Sequence, residues 1–300
     1  MDRLHLMTVF VAVAEERSFA GAARRLSMSP PAVTRAVAAL EERLGVRLLN
    51  RTTRHVRATE AGQRYLDDAR GVIAAADEAD EAVGGVNAEP RGHLAVTAPV
   101  LFGKLFVMPV IVDYLRRYPG MDVAALFLDR VVNLLEEGVD AGIRIGALPD
   151  SSMQAIGVGQ VRRVVCAAPA YLARHGEPAT PADLGRHLIV AAASVSPSLE
   201  WKFEHAGQGA AVRVKPRLVV TSNDGAIEAV RQGFGITRLM SYQVAPYLES
   251  GELTALLSDY EPPGMPINVV HREGRHSTAK LRTFLDLIIA RLRAEKALQR

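Results

Sequence analysis

The first 45 residues contain three short segments with helical periodicity, joined by turns too short to let the segments separate. Apolar residues recur three or four positions apart in each segment, which is the pattern of one buried helix face. Ser18 is a good N-cap for the second segment, and Gly45 favours the left-handed conformation that ends a helix. We therefore predict three packed helices. Their predicted inward residues are Leu6, Met7, Phe10, Val13 and Ala14, then Phe19, Ala22, Ala23 and Leu26, then Val33, Val37, Leu40 and Leu44.

The third segment opens with two consecutive prolines, in the sequence S-P-P-A-V-T-R-A. Proline costs about 3 kcal/mol inside a helix because it lacks an N–H and clashes with the preceding turn. In the first turn of a helix, however, the N–H groups have no intrahelical acceptor to lose. The sequence therefore predicts that Ser29 is the N-cap and that Pro30 and Pro31 are the first two helical residues.

Two short strand-like segments, V-R-L-L-N-R and H-V-R-A-T, follow the third helix. They predict a β-hairpin with a Thr-Thr-Arg tip. Residues 1–59 contain ten arginines, no lysine and five acidic residues, a net charge of +5 in a chain whose total is +3. Three helices and a basic hairpin are typical of a winged helix-turn-helix, and the charge favours a polyanionic partner.

The outer face of the third helix carries few long side chains. Small residues there allow the helix to enter a major groove, where Arg35 can bind guanine and Thr34 can contact a phosphate or a base edge. Because phosphate would repel Glu42, we predict that the N-terminal end of the helix inserts. Arginines at the hairpin tip suit phosphates or a minor groove. The predicted contacts to double-stranded DNA are Ser29, Pro30, Pro31, Thr34 and Arg35 from the helix, and Arg51, Thr52 and Arg54 from the wing.

A fourth, longer helix is predicted to open at Thr59-Glu60. Its apolar residues recur at alternating spacings of four and three, as in a coiled-coil seam. The seam is rich in alanine and buries little area, so a helix that packs only on its own domain is the alternative interpretation. Gly84-Gly85 and then Glu89-Pro90-Arg91-Gly92 predict a break and a hinge. The seam residues are Tyr65, Ala69, Val72, Ala76, Ala79, Val83 and Val86.

From residue 93 onward, strand-like and helical segments alternate, which favours parallel sheets with crossover helices. The predicted strands are L-A-V-T-A, V-A-A-L-F-L, A-G-I-R-I, V-V-C-A-A and I-N-V-V-H. The predicted helices are P-V-I-V-D-Y-L-R-R-Y, V-V-N-L-L-E-E and a last helix from Lys280 to Arg293. About 200 residues suffice for two such α/β units.

Composition and motifs exclude several function classes. The single cysteine, Cys166, rules out an internal disulfide, and its place within a strand favours a buried small hydrophobe over a redox sensor. No segment approaches the roughly 18–20 apolar residues of a membrane helix, and the N-terminus is not a signal peptide, so we expect a cytoplasmic protein without a membrane partner. No G-x-S-x-G, H-E-x-x-H or P-loop is present, and the eight histidines show no metal-ligand spacing. We expect no enzymatic activity, metal or cofactor.

The segment S-F-A-G-A-A-R-R-L-S-M-S-P-P-A-V-T-R-A-V-A-A-L-E-E-R-L-G-V-R-L-L-N-R-T-T-R-H-V-R-A-T-E-A-G resembles the N-terminal signature of LysR-type transcriptional regulators. Looser family segments follow in order: A-P-V-L-F-G, D-R-V-V-N-L-L-E-E-G-V-D-A-G-I-R-I-G, C-A-A-P-A-Y-L and G-F-G-I-T-R-L. The resemblance implies an α/β protein with an N-terminal winged helix-turn-helix, a long linker helix and a two-lobed effector domain like a periplasmic binding protein. The implied domains are 1–59 for DNA binding, 60–88 for the linker helix, 89–92 for the hinge and 93–300 for the effector domain, with lobes 93–162 plus 265–300 and 163–264.

The same resemblance implies partners and sites. The partners are promoter DNA, a small-molecule effector, further copies of the chain in a dimer or tetramer, and RNA polymerase if the protein activates transcription. Many relatives carry glutamine in place of Pro30 and a polar residue in place of Ala36, so two hydrogen-bonding readers of DNA are absent here. The implied effector-binding residues are Pro99, Val100, Leu101, Phe102, Gly103, Gly146, Ser222, Asn223, Thr237 and Arg238.

Val100 and Phe102 stand where several relatives have hydroxyls, which favours an apolar or aromatic effector, with its carboxylate at helix N-termini or at Arg238. Arg238 as an ordinary surface residue of a strand is the alternative. Two other function classes were weighed. The sequence contains no catalytic motif that would support an enzyme. A solute-binding protein of the transport type would account for residues 93–300 but not for the predicted DNA-binding domain at the N-terminus.

Overall fold

The three predicted N-terminal helices are present in a computed structural model of the chain. It describes residues 2–51, 56–83, 89–134, 136–148, 153–192, 199–272 and 278–299. Asp2 and Ser18 cap the first two helices by accepting backbone N–H groups of Leu4 and Gly21. Ser29 is the N-cap of the third helix, the prolines are its first residues, and Gly45 ends it with a φ of 66°. The helices are α1 (Arg3–Glu16), α2 (Phe19–Arg25) and α3 (Pro30–Leu44).

Packing among these helices differs from the predicted faces in three respects. Val9, Val11 and Ala12 are also buried, because α1 packs against α2, α3 and a fourth helix on different sides. Ala36 is fully buried in the same core. The prediction that Leu44 points inward is wrong, since its side chain is 37% exposed in the last turn of α3.

The wing is an antiparallel pair, β1 (Leu49–Arg51) and β2 (Val56–Ala58), shorter than the predicted segments. The carboxylate of Glu41 on α3 accepts the N–H groups of Leu48 and Leu49 at 2.9 and 3.0 Å. This contact ties the start of the wing to α3. The tip, residues 52–55, lies outside the described residues.

The next helix, α4 (Glu60–Val83), begins where predicted. The hydroxyl of Thr59 accepts the N–H of Gly62 at 2.9 Å, and a Cβ at Gly62 would stand 1.9 Å from the carbonyl oxygen of Leu48. Thr59 therefore caps α4 while Gly62 lets it approach the wing closely.

The predicted apolar seam of α4 is only partly the face that packs on the N-terminal core. Ala69 is fully buried and Tyr65 is half-buried, but Val72 is 48% exposed. Leu66 and Ile73, outside the predicted seam, pack on the core instead. The side chains of Ala79 and Val83, and all of Val86, lie outside the described residues.

Two five-stranded sheets form the rest of the chain, and both are mixed rather than parallel as predicted. In the first, ordered β4-β3-β5-β14-β6, β3 is parallel to β4 and β5, while β14 is antiparallel to β5 and β6. In the second, ordered β11-β8-β12-β7-β13, β8 is parallel to its neighbours and β7 is antiparallel to its neighbours. A hairpin pairs β9 with β10. The strands are β3 (Gly92–Ala98), β4 (Met121–Phe127), β5 (Ala141–Ile145), β6 (Met153–Val161), β7 (Arg163–Ala167), β8 (Ile189–Ala192), β9 (Glu200–His205), β10 (Gln208–Arg213), β11 (Pro216–Val220), β12 (Ile236–Met240), β13 (Thr254–Leu256) and β14 (Met265–Arg272).

Helices pack against these sheets. A π-helical turn (Gly103–Val107) joins the helix Val100–Phe102 to the helix Met108–Arg117. The helix predicted over 131–137 is wrong. The described residues of that segment are irregular over 131–133 and form turns at 134 and 136–137, and Gly138 follows at φ 63° before β5. Short 3-10 turns lie at Pro181–Arg186, Ser258–Tyr260 and Lys296–Leu298. The helices are α5 (Val100–Phe102), α6 (Met108–Arg117), α7 (Pro169–His175), α8 (Asn223–Arg231), α9 (Ser241–Glu249) and α10 (Ala279–Ala294).

The chain divides into two compact units. One contains Met1–Glu89, Asn133–Val139 and Gly274–Ala279, and the other contains Pro90–Val132, Asp140–Glu273 and Lys280–Arg300. Within the described part of the chain, no helix is both long and apolar enough to cross a membrane. No cluster of potential metal ligands occurs among those residues either.

Candidate DNA-binding face and ligand cavity

The N-terminal end of α3 exposes the side chains predicted to contact DNA. Pro30, Pro31, Thr34 and Arg35 are all exposed, and Ser29 is exposed with a side chain that makes no capping hydrogen bond. The backbone carbonyl of Ser29 accepts the first available amide, that of Ala32, because the two prolines have none. The exposed hydroxyl and guanidinium groups of Ser29, Thr34 and Arg35 thus lie beside the two exposed prolines.

Two polar side chains on this face lean back along the helix. The hydroxyl of Thr34 donates to the carbonyl of Pro30 at 3.0 Å, and Nε of Arg35 donates to the carbonyl of Pro31 at 3.4 Å. The bond through Nε does not use the two terminal nitrogens of the exposed Arg35 guanidinium, so both can still donate. That pair is the geometry that reads O6 and N7 of guanine. On the opposite side of α3, Val33 and Val37 anchor the helix in the core.

A cavity of about 150 Å³ lies between the two five-stranded sheets. The loop after β4 and the end of β5 form one wall, and the starts of α8 and α9 form the other. Charged, polar and apolar groups are mixed in its lining. The lining residues are Pro99, Leu128, Asp129, Arg130, Val131, Ile143, Arg144 and Ile145 from the first wall, and Asn223, Met240, Tyr242 and Gln243 from the second.

Asp129 and Asn223 join the two walls. One carboxylate oxygen of Asp129 accepts the N–H of Val100 at 3.0 Å, and the other accepts Nδ2 of Asn223 at 3.3 Å. Asn223 is only 3% exposed, and its Oδ1 has no hydrogen-bond partner. A buried unpaired acceptor costs free energy, so this oxygen marks a position where a donor would be stabilised.

Tyr242 and Gln243 complete the second wall. Nε2 of Gln243 donates to the Tyr242 hydroxyl at 3.2 Å, while Oε1 of Gln243 accepts the N–H of Met240 at 3.0 Å. Burial raises the pKa of Tyr242 well above its ordinary value, and the nearby Asp129 charge adds to that shift. Tyr242 therefore stays protonated and can donate its O–H into the cavity.

The guanidinium groups of the cavity belong to the first wall. Arg144 donates to the backbone carbonyl of Val132. This bond fixes the Arg144 side chain beside the turns that replace the predicted helix over 131–137. The charged side chains of the described lining are those of Asp129, Arg130 and Arg144.

Comparison with known proteins gives a match for the N-terminal helices with their wing and a second match for the part of the chain that contains the two five-stranded sheets. Residues 4–63 match the family model for bacterial regulatory helix-turn-helix proteins of the lysR family, and residues 87–293 match the model for the LysR substrate binding domain. The chain belongs to the LysR family. It is a LysR-type transcriptional regulator with a DNA-binding helix-turn-helix and a substrate-binding domain.

Individual relatives align with almost the full length of this chain. An uncharacterized HTH-type transcriptional regulator of Haemophilus influenzae is 31% identical over 281 residues, which are 94% of this chain and 98% of that protein. The structure of CrgA, a LysR-type transcriptional regulator from Neisseria meningitidis, is 31% identical, has a TM-score of 0.62 and covers 96% of this chain and 98% of its own. Full-length AphB, a virulence activator of Vibrio cholerae, is 26% identical with a TM-score of 0.64, covering 96% and 99%.

Only part of the predicted effector-binding set lines the cavity of this LysR-type regulator. Pro99 and Asn223 line it, and Val100 lies beside it with its N–H on Asp129. Leu101, Phe102 and Gly103 face the buried core instead. Gly103 is required for packing, since a Cβ there would lie 2.4 Å from the ring of Phe127.

The remaining predicted effector residues lie next to the cavity or away from it. Gly146 follows the lining residue Ile145, and Ser222 caps α8 by accepting the N–H of Gly225. Thr237 is fully buried within β12, with its hydroxyl unpaired. Arg238 does not belong to the cavity, because its guanidinium packs over the rings of Trp201 and Phe203 on the other face of the second sheet.

On the DNA side, the structure shows that Ala36 faces inward, because its side chain is fully buried in the N-terminal core. Thr52, Arg54 and the side chain of Arg51 lie outside the described residues.

The sequence interpretation missed Asp129, Arg144, Tyr242 and Gln243. A usable signal existed for the first, since Asp129 follows a parallel strand, and ligands bind beyond the carboxyl ends of such strands. Cys166 is fully buried within β7, and burial raises the pKa of its thiol to about 12, which agrees with its interpretation as a small core residue.

Proposed function

We propose that this regulator reads promoter DNA with the start of α3 and that a small molecule in the cavity between the two sheets alters its binding to promoters. The reading residues are those of the predicted set: Ser29, Pro30, Pro31, Thr34 and Arg35 of α3, with Arg51, Thr52 and Arg54 of the wing. The exposed face at the start of α3 supports the part of the proposal that concerns reading of DNA. With Ala36 buried, Thr34 and Arg35 supply most of the polar contacts to bases.

The observation that carries the effector half is the cavity itself. It lies where two sheets of one chain face each other, and it contains the buried, unpaired Oδ1 of Asn223. Polar atoms of this kind, convergent on a cavity with apolar walls, are typical of small-molecule sites. Asp129 bonds to residues of both walls, so a ligand on it would influence how the two lobes close.

Self-association as a dimer or tetramer, through α4, is part of the proposal. RNA polymerase would be a further partner if the protein activates transcription. Since its partner is promoter DNA, we expect the protein to act in the cytoplasm. The implied domain boundaries and the lobes 93–162 plus 265–300 and 163–264 are kept as part of the same proposal.

Binding of the purified protein to genomic DNA fragments, with and without small polar and carboxylate ligands, tests both halves. The wild type should select a limited set of fragments, and at least one cavity ligand should change their occupancy. Uniform binding to all fragments would contradict sequence reading, and occupancy indifferent to every cavity ligand would contradict modulation.

The reading role of Arg35 has its own matched test in the same assay. Arg35→Ala should lose about 1–3 kcal/mol of discrimination at one base pair, because a bidentate contact to guanine is removed. Arg43→Ala is the control, since Arg43 is also exposed on α3 but lies in its last turn. The control should weaken binding to all fragments alike, or not at all. Equal sequence preference in the wild type and Arg35→Ala would remove Arg35 from the readout.

A further inference from the structure

Arg163 and Arg238 lie side by side on the face of the second sheet that carries the β9-β10 hairpin. In the antiparallel pairing of β7 with β12, Arg238 stands opposite Val165, and Arg163 lies two residues before Val165 in the same strand. Side chains two residues apart in a strand point to the same face, and diagonal neighbours across an antiparallel pair are within reach of long side chains. The two guanidinium groups therefore share one surface. Neither belongs to the described lining of the cavity between the sheets.

Neither arginine has an acidic partner among the residues that the structure describes. Nη1 of Arg238 donates to the backbone carbonyl of Lys202 at 3.0 Å. The Arg163 side chain makes no hydrogen bond or ion pair within the described part of the chain. By contrast, the adjacent Arg162 donates to the carboxylate of Glu261. The whole donor fork of Arg163 and part of that of Arg238 are thus left without a protein acceptor in the described ranges.

Partial burial makes these two positive charges costly. Both side chains are half-buried, and the Arg238 guanidinium lies 4.9 Å from the ring centre of Trp201 and 5.8 Å from that of Phe203. Burial, and then the charge of Arg163, lowers the pKa of Arg238 to about 9, and burial lowers the pKa of Arg163 as well. Charges withdrawn from water are ordinarily paired, so an anion between the two guanidinium groups would offset a cost that the fold otherwise bears.

The charge and the donors of this pair suit a phosphate group better than a carboxylate. Two guanidinium groups carry two positive charges, and a phosphate monoester carries about 1.5–2 negative charges at pH 7. Its three terminal oxygens can accept from two separate forks, whereas the two oxygens of a carboxylate match one planar fork. Trp201 is only 5% exposed, so its ring supports Arg238 and offers no stacking surface to a ligand.

We propose that Arg163 and Arg238 form a second ligand site, selective for a small phosphate-bearing anion, on the face of the second sheet that carries the hairpin. The anion accepts from the Arg163 fork and from the nitrogens of Arg238 that do not bond to Lys202. Trp201 and the Lys202 carbonyl hold the Arg238 side chain in place. Inorganic phosphate and a phosphorylated small molecule share this chemistry. The site is separate from the cavity between the sheets and does not depend on the function proposed for that cavity.

Trp201 is the only tryptophan of the chain, so its fluorescence reports on this site. Inorganic phosphate, methyl phosphate and acetate are titrated into the full-length protein at constant ionic strength, with tryptophan emission and calorimetry as readouts. Both phosphates should give a saturable change of emission, and acetate should bind about tenfold or more weakly, because it engages only one fork. Tighter binding of methyl phosphate than of phosphate would identify a phosphate monoester as the ligand, and the reverse order would identify phosphate itself.

Two outcomes of the titrations would overturn the proposal. One is the absence of a saturable change of emission at millimolar phosphate, with or without heat of binding, since phosphate would then bind elsewhere or not at all. The other is an affinity for acetate equal to that for both phosphates, since the pair would then not select the phosphate group.

Arg163→Gln tests the residue that has no packing role against the aromatic rings. It should weaken phosphate binding about tenfold or more, because a charge-assisted fork is lost. Arg217→Gln is the matched control, since Arg217 is exposed on β11 at the edge of the same sheet and the change removes the same charge. The control should alter the affinity by less than about twofold, because an exposed charge away from the site is screened.

Arg163→Met keeps the unbranched stem of the side chain and removes the charge, so it decides the same question if Arg163→Gln does not fold. The same loss of about tenfold or more is expected. Phosphate affinity equal to that of the wild type in a folded Arg163 variant, or an equal loss in Arg217→Gln, would overturn the proposal.

Discussion

At the scale of single residues, Glu15 holds three helices of the N-terminal unit together. Its carboxylate accepts Nη1 of Arg25 at 2.7 Å and, on its other oxygen, Nε and Nη2 of Arg70 at 3.1 and 2.8 Å. Burial raises the pKa of Glu15, but the hydrogen bonds and charges of the two arginines outweigh burial, so its pKa lies below the ordinary value of 4.5. The ionised form is the one that the fold stabilises.

Glu15→Gln should therefore lower the free energy of unfolding of the N-terminal unit by about 1–2 kcal/mol at neutral pH. Because the folded-state pKa is depressed, this contribution is fully present above pH 4.5 and is lost as the pH falls through the lowered pKa. Urea unfolding at neutral and at acid pH measures the difference. Glu16→Gln is the control, since Glu16 has only a 3.7 Å contact with Arg25. A Glu15→Gln effect independent of pH would contradict the electrostatic account.

Arg238 packs its guanidinium against two aromatic rings of the β9-β10 hairpin. Its guanidinium lies 4.9 Å from the ring centre of Trp201 and 5.8 Å from that of Phe203, and it donates to the carbonyl of Lys202 at 3.0 Å. Burial, with a smaller contribution from the neighbouring Arg163, lowers its pKa to about 9. The residue thus closes the apolar cluster on the outer face of the second sheet, as a cation over aromatic rings.

At the scale of elements, α4 buries one apolar face in the N-terminal core and leaves the apolar side chain of Val72 exposed. Leu66 and Ala69 are buried in the N-terminal core, whereas Val72 leaves about half its surface exposed. An amphipathic helix needs only one buried face to be stable in its own domain. Exposed Val72 belongs to the heptad pattern and is available for a second copy of the chain.

Substitution by glutamate should distinguish the buried position Ala69 from the exposed position Val72. Ala69→Glu should destabilise the N-terminal unit by about 3 kcal/mol or more, because it buries a charge without a partner. Val72→Glu should leave the stability within about 0.5 kcal/mol but weaken self-association, since it places like charges in the proposed seam. Thermal unfolding and analytical ultracentrifugation measure the two effects. Unchanged self-association in Val72→Glu would remove this position from the seam.

At the scale of the whole molecule, the cavity exists because the chain passes between two sheets more than once. It moves from the first sheet to the second between β6 and β7, and returns between β13 and β14. Residues far apart in sequence, such as Asp129 and Asn223, therefore meet in one hydrogen bond. Under the proposed function, a ligand at that bond would contact parts of both sheets and would favour one arrangement of the lobes over another.

If the proposed function holds, ligand binding in the cavity and promoter binding affect each other equally. A ligand that changes promoter affinity by some factor must itself bind more tightly or more weakly by the same factor when promoter DNA is present. Calorimetric titration of a ligand that changes promoter binding, into the free protein and into its promoter complex, measures this factor. Equal affinity of the ligand for the free protein and for its promoter complex, a factor of one, would contradict coupling between the cavity and the DNA-binding face.

Much of the fold was predictable because it depends on short-range patterns. The helix boundaries at Pro30, Gly45 and Glu60 follow from capping, proline and glycine chemistry, and the five predicted apolar strands coincide with β3, β4, β5, β7 and β14. The predicted helix over 131–137 is wrong because long-range contacts, and not the short-range pattern, decide the structure of that segment. Its apolar residues Val132 and Leu134 are buried by tertiary contacts, which a seven-residue segment can satisfy with turns.

The amino-acid sequence by itself determined the winged helix-turn-helix, the exposed start of α3 and the α/β character of the remainder. Local propensity and periodicity act within a few residues, so they are visible without a structure. Only the tertiary structure decided that Ala36 is buried, that Arg238 faces away from the cavity and that Asp129 meets Asn223. Each of these depends on which distant segment packs alongside, and no pattern within one segment carries that information.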